Sequence, residues 1–208
     1  MKRKPVRDVR LLDDIFIYLV NNASNLFSVQ HIVNFFKSKN RKVSYDTLSN
    51  YLGYIEEAFL AYKTERYNIK GKDVVAGNCK YYLNDLSFKN FLYPGFAYGV
   101  GYLLENAVYL ELRRLGYIVY TGFFRDKEVD FVAMKDDRVI YLQATYMLET
   151  AQTMEREYAP LLTIGDNYEK YVVSMDEVQF PSNEGVRHIQ AWNLKEISVS
   201  YTHLTLPT

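Results

Sequence analysis

The chain has 208 residues, 49% of them hydrophobic and 24% charged, with a formal net charge of zero. That length and hydrophobic share support one large domain or two small ones with real cores, and they exclude an intrinsically disordered chain. The charge is uneven, with an excess of +6 over residues 1–95 and of −6 over residues 96–208; this fits two modules with different partners but is too small to establish nucleic-acid binding.

In chain order, Leu12, Ile15, Phe16, Leu19 and Val20 fall on one face of a helix over residues 8–20. Ser28 is a good N-cap for a second helix with the apolar stripe Val29, Ile32, Val33 and Phe36, and Phe27 can staple onto Ile32 across that cap. A short basic connection from Lys37 to Val43 leads to a third helix beginning at Ser44, with Leu48, Tyr51, Leu52, Ile55 and Phe59 inward. The period then changes to two. Leu60 to Tyr67 reads as a strand, residues 68–72 as a turn, and the return strand runs through Val74-Val75 or through Lys80 to Leu83. Three helices and a hairpin predict a winged helix-turn-helix over residues 1–95, closed by a short helix from Asp85 to Leu92. Pro94, Gly95, Gly99 and Gly101 mark a boundary.

The second module, residues 96–198, opens with a helix from Tyr102 to Leu115, stopped by Gly116 and with Arg113 and Arg114 suiting its C-terminal dipole. Strands follow at 117–121, 128–134 and 139–146, the last two joined by a turn at 135–138. A helix over 149–159 is expected to end at Pro160. Strands at 170–175 and around His188 to Trp192 complete an α-β-β-β-α-β order, so the fold class is mixed α/β.

Chemistry has few places to reside. No Gly-x-x-x-x-Gly-Lys-Ser/Thr run occurs, so no P-loop cradles a triphosphate. The single Cys79 permits no internal disulfide, and His31, His188 and His203 lack metal-ligand spacing, so no metal site is expected from them. No signal-type apolar core follows the basic N-terminus, and the uncharged stretch 90–104 is interrupted by Pro and Gly. A cytoplasmic protein without membrane contact is therefore expected. Twenty tyrosines and twelve phenylalanines allow large amphipathic contacts, with ordinary packing as the plainer account.

One constellation remains. Glu105 lies on the opening helix of the second module. Asp130 lies on a strand, with Glu128 on its face at i, i+2 and with Val129 and Phe131 pointing the other way. Gln143 and Thr145 share one face of the partner strand. An acid on a helix, an acid on one strand and two polar groups on the next resemble the layout of PD-(D/E)XK nucleases, where carboxylates hold Mg²⁺ and a lysine assists the attacking water. Here Gln143-Ala144-Thr145 stands where such an enzyme has its second strand acid and its lysine. Weak Mg²⁺ binding at most is expected, with Gln143 donating to a carboxylate and fixing strand–helix geometry. On the first module, Tyr45, Ser49 and Asn50 are outward near the start of the third helix. Lys39, Arg41 and Lys42 precede it, and Lys70 and Lys72 sit on the wing. These can meet phosphates and a groove, while Asp46, Glu56 and Glu57 on the same helix suit protein docking equally.

Several segments carry a wider resemblance: Ser44-Tyr45-Asp46-Thr47-Leu48-Ser49-Asn50-Tyr51-Leu52, Tyr67-Asn68-Ile69-Lys70-Gly71-Lys72, Lys80-Tyr81-Tyr82-Leu83-Asn84-Asp85, Leu104-Glu105-Asn106, Glu128-Val129-Asp130-Phe131-Val132 and Tyr171-Val172-Val173-Ser174-Met175-Asp176. From about Arg7 to Leu194 the chain resembles the C-terminal region of a widespread prokaryotic family of AAA-type ATPases. In that family a P-loop module is followed by a domain of unknown function, built as a winged helix plus a restriction-endonuclease-like fold. The resemblance implies that Met1 falls where the ATPase module gives way, that ATP is met only through that missing module, and that the chain is a fragment or split product. Residues 199–208 resemble translated sequencing adaptor and are expected to be dispensable. Three functions follow: a non-catalytic recognition region for a nucleic-acid or protein target, an active Mg²⁺ nuclease using Glu105 and Asp130 with Glu128 as a further candidate, or an assembly module. Gln143-Ala144-Thr145 counts against the second.

Overall fold

The computed structural model describes residues 6–92 and 99–198. The proposed tail 199–208 and the Pro94-Gly95 part of the boundary lie outside the described residues. The chain divides into two compact units. One takes in the residues up to Arg66 and those from Val74 to the end of the closing helix. The other takes in Tyr67–Asp73 and the residues from Gly99 onward.

The first unit begins with α1 (Val9–Asn21), α2 (Val29–Ser38) and α3 (Tyr45–Glu57). Each starts where a short polar side chain replaces a missing helical acceptor. Asp8 Oδ1 accepts from the Leu11 amide at 2.9 Å, Ser28 Oγ from His31 at 3.2 Å and Ser44 Oγ from Thr47 at 3.2 Å. The helices bury Leu11, Ile15, Leu19, Ile32, Phe36, Leu48, Leu52 and Ile55 in one core, together with Tyr81 and Leu83 from the hairpin. Phe27 joins Ile32 there, as the staple requires, and also bridges to Cys79. The helix α3 ends with the Leu60 amide reaching back to the Ile55 carbonyl, which forces Phe59 to φ +57°.

The hairpin is β1 (Ala61–Asn68) and β2 (Asp73–Leu83). Its return strand takes in both Val74-Val75 and Lys80 to Leu83, so the two alternatives read from sequence are parts of one strand. At the turn the Gly71 amide donates to Asn68 Oδ1 at 3.1 Å, and a Cβ at Gly71 would displace the Asn68 and Asp73 side chains. The tip departs from the expected division of the chain. Residues 67–73 group with the second unit, because Ile69 is 4% exposed among Val129, Val132 and Tyr141, and its amide donates to the Phe123 carbonyl at 3.0 Å. A short α4 (Ser87–Leu92) closes this part of the chain.

In the second unit, α5 (Val100–Arg114) precedes β3 (Ile118–Phe124), β4 (Lys127–Lys135) and β5 (Arg138–Ala144). The helix α6 (Ala151–Leu162) crosses to β6 (Glu169–Ser174), and β7 (Val186–Gln190) runs into a 3-10 turn, Ala191–Ser198. Within the second unit the strands are ordered β3-β4-β5-β6-β7. From β3 to β5 the pairing is antiparallel; β5 and β6, joined through the crossover helix α6, are parallel, as are β6 and β7, joined by the loop 175–185. The fold is mixed α/β, and strands 4 and 5 are adjacent as expected. Val132 and Tyr141 are cross-strand partners in the core under Tyr158 and Leu161 of α6. By alternation their neighbours Phe131 and Leu142 point to the opposite face, where α5 packs with Val108 and Leu112 buried.

Three element boundaries depart from the expectations. Pro160 lies inside α6 rather than ending it; it sits in the last turn, buried beside Leu161, so only one helical donor is lost. The opening helix starts at Val100, which takes Gly101 out of the linker. Trp192 belongs to the 3-10 turn, not to β7.

Candidate functional site

Strict alternation fails at Asp130. Tyr120 of β3 pairs with Val132, but Gly122 pairs with Val129, so Thr121 alone faces both Asp130 and Phe131. This bulge puts Val129 and Val132, three residues apart, in the same α6-side core. The expectation that Val129 and Phe131 share a face is therefore corrected: Val129 lies with Val132 in the α6-side core, and Phe131 alternates to the opposite face. Gly122 makes the close approach possible. A Cβ there would stand 2.7 Å from Val132 Cγ2, 3.1 Å from Ile69 Cδ1 and 3.1 Å from Val129 Cβ.

At the bulge the β4–β5 ladder gives way to side chains. The Asp130 amide donates to Gln143 Oε1 at 3.1 Å, and the Ala144 amide donates to Asp130 Oδ2 at 2.8 Å. The two side chains thus replace backbone acceptors beyond the last paired residues, Phe131 and Leu142. Gln143 accepts from a backbone amide, where the sequence suggested it would donate to a carboxylate. Thr145 is buried, and its amide continues onto the Val173 carbonyl at 3.0 Å. Glu105 is buried on the sheet-facing stripe of α5 with Val108 and Leu112. Gln143, two residues from Tyr141, falls on the α6 side, away from the face that α5 covers. Among the described residues no group of three or more His, Cys, Asp or Glu side chains is arranged to hold a metal ion.

The candidate nucleic-acid residues separate in the same way. Tyr45, Ser49 and Asn50 are exposed on α3, and Lys39 and Lys42 are exposed beside it. Arg41 is half-buried, with Nη2 3.1 Å from Asp8 Oδ2 and Nη1 on Asp14. The Leu11 amide, assisted by Arg41, holds the Asp8 carboxyl below its ordinary range. Arg41 is thus paired with two carboxylates while its own side chain stays 31% exposed. Lys70 and Lys72 are exposed, but on the hairpin tip that belongs to the second unit, not with α3.

A second polar cluster escaped the sequence reading. His188 Nε2 lies 2.8 Å from Ser174 Oγ, which in turn lies 2.7 Å from Asp176 Oδ2. All three residues are buried. The Ser-x-Asp spacing at the end of β6 and a histidine in an apolar strand were its only traces in the sequence.

Comparison with known proteins adds family context. Residues 1–96 match a family model described as a domain of unknown function, DUF8612. An uncharacterized protein of Haemophilus influenzae is 34% identical over 172 residues, which is 83% of this chain and 42% of that protein. Uncharacterized protein MJ1544 of Methanocaldococcus jannaschii is 30% identical over 161 residues, 76% of this chain and 35% of its own length. The chain therefore spans less than half the length of these curated relatives. A crystal structure of protein VC1899 from Vibrio cholerae overlaps 92% of this chain and 50% of its own, at a TM-score of 0.29 and 12% identity, a likeness too low to support a fold assignment. No helix among the described residues is long and apolar enough to cross a membrane.

Proposed function

We propose that this chain is a non-catalytic recognition region of a larger AAA-type ATPase. In this reading the first unit is a winged helix, the second is a PD-(D/E)XK-like fold without a working nuclease centre, and the chain acts in the cytoplasm. The observation that carries the reading is the use of Asp130 and Gln143. Both side chains accept from backbone amides at the end of a ladder, a structural task that a bulge beside a strand end demands on its own account. Gln143 brings no charge to a cation, and Thr145 has none to offer a developing transition state. The ATPase module itself is a matter of resemblance, and the greater length of the relatives leaves room for one.

As for the target, α3 contains no lysine or arginine, and it exposes Asp46 and Glu57 beside Tyr45, Ser49 and Asn50. With Arg41 engaged by Asp8 and Asp14, that face suits a protein partner better than a phosphate backbone. The test is to incubate the purified chain with labelled single- and double-stranded DNA and RNA in Mg²⁺ and in Mn²⁺. The expected result is no cleavage above background, and association no tighter than the non-specific range of about 10⁻⁴ to 10⁻⁶ M. Cleavage that disappears in Asp130→Ala would overturn the proposal in favour of a Mg²⁺-dependent endonuclease. Tight binding that is weakened by Ser49→Ala and Asn50→Ala would instead make nucleic acid the target.

A further inference from the structure

The loop between β6 and β7 is tied to one imidazole. His188 Nδ1 accepts the Phe180 backbone amide at 3.2 Å. A neutral ring that accepts at Nδ1 carries its proton on Nε2, and there it donates to Ser174 Oγ at 2.8 Å. The serine hydroxyl passes its own proton towards Asp176 Oδ2 at 2.7 Å, an oxygen that also accepts from the Leu148 amide at 2.8 Å. Ser174 Oγ also accepts from the Asp176 amide at 3.1 Å, so the tautomer is set by the Phe180 amide, which makes Nδ1 the acceptor. Phe180, whose ring packs edge-on against the imidazole with centroids 5.0 Å apart, continues with Pro181 into one wall of a cavity of about 620 Å³. Its opposite wall is Met154, Tyr158 and Leu162 of α6.

We propose that His188 is a proton-operated latch: neutral, it holds Phe180 by its backbone amide and keeps the wall against α6 in place; protonated on Nδ1, it releases that segment. A second proton on the ring turns Nδ1 from acceptor to donor, so two hydrogens face each other and the Phe180 amide must find water. The rest of the loop has independent ties. Gln190 Nε2 donates to the Glu177 carbonyl at 2.6 Å, and Asn183 and Val186 exchange amide bonds at 3.0 and 2.9 Å. Gln179 Nε2 donates to the His188 carbonyl and Ser182 Oγ to the Val186 carbonyl, so release is confined to Phe180 and Pro181. Asp176 at the end of β6 favours the imidazolium and opposes the burial that holds His188 below its ordinary value of 6.5. Tyr158 on α6 senses the same carboxylate. On the other side, Tyr171, Arg187 and Glu196 line a small cavity with His188, and there Arg187 is paired with Glu169.

The experiment follows the His188 Cε1 resonance and amide hydrogen exchange, corrected for intrinsic rate, on the intact chain from pH 8 to pH 4.5. The expected result is loss of protection at Phe180 along the same curve as the His188 titration, with β4 to β6 amides still protected. His188→Gln, a neutral acceptor at every pH, is expected to keep the Phe180 amide protected throughout. The proposal is overturned if Phe180 stays protected once His188 is protonated, or if protection in β4 to β6 is lost at the same pH. Because the wild-type titration decides the matter alone, failure of the variant to fold leaves the test intact.

Discussion

Replacing Asp130 by alanine distinguishes a structural carboxylate from one kept for chemistry. The substitution removes the acceptor of the Ala144 amide, 2.8 Å away and partly buried. Leaving such a donor unpaired costs roughly 1–3 kcal/mol, and partial burial points to the lower half, about 1–2 kcal/mol. Asp130→Asn keeps a carbonyl oxygen in place and loses only the charge, so about half that cost is expected, since charge-assisted bonds are about twice as strong as neutral ones. Gln143→Ala strips the acceptor from the Asp130 amide at 3.1 Å and should cost a similar amount. The two bonds tie the same pair of strand ends, so the double variant should be non-additive by ~0.5 kcal/mol or more. Urea unfolding of the four proteins measures all of this, with unchanged m-values as the control. If Asp130→Ala instead raises stability, the carboxylate is relieving like-charge repulsion on removal, as in an acid cluster maintained for a cation. That outcome refutes the structural account of Asp130.

Four further expectations follow from the same geometry. Gly122→Ala forces a Cβ to 2.7 Å from Val132 Cγ2 and should destabilise the chain by about 1–3 kcal/mol, the usual range for overpacking, as read by its thermal midpoint. Gly53 lies in α3 with nothing within 4 Å of a built Cβ, so Gly53→Ala should stabilise by up to ~1 kcal/mol; a loss of stability would mean that the open space is not there. Burial pushes the Cys79 thiol up to about 11, so alkylation of the folded chain at pH 8 should be far slower than in urea, and equal rates would contradict the buried position. For His188, whose folded value is depressed by burial, the neutral form is the one folding favours. Its contribution to stability is full above pH 6.5 and is lost as pH falls through the lower folded value. Denaturation across that window should show a fall in wild type that His188→Gln flattens.

How much of this was legible before the structure differs from element to element. The three N-terminal helices were fixed by local information, an apolar stripe at helical spacing in each, preceded in the second and third by a serine cap at Ser28 and Ser44, and those rules act within a few residues. The adjacency of the strands carrying Asp130 and Gln143 was also local, because a tight turn at 135–138 leaves little choice of partner. Asp130 and Gln143 were legible as residues of interest, but their task was not. Periodicity supposes one residue against one, and the bulge opposite Thr121 sets two against one, which reverses the face of Val129 relative to Phe131. Arg41 read as a free cation because its partners Asp8 and Asp14 lie 33 and 27 residues away, and no window of sequence weighs charges at that separation. The hairpin tip read as a wing because turns are normally polar and solvent-facing; only the core at Val129 and Val132 decided that Ile69 is buried. Sequence alone determined the helices, the strands, their mixed order and the lack of a P-loop. The three-dimensional packing decided which polar groups meet: Asp130 with Gln143, and His188 with Ser174 and Phe180. Hydrogen bonds between distant residues depend on where the backbone brings them, and composition and spacing carry no record of that.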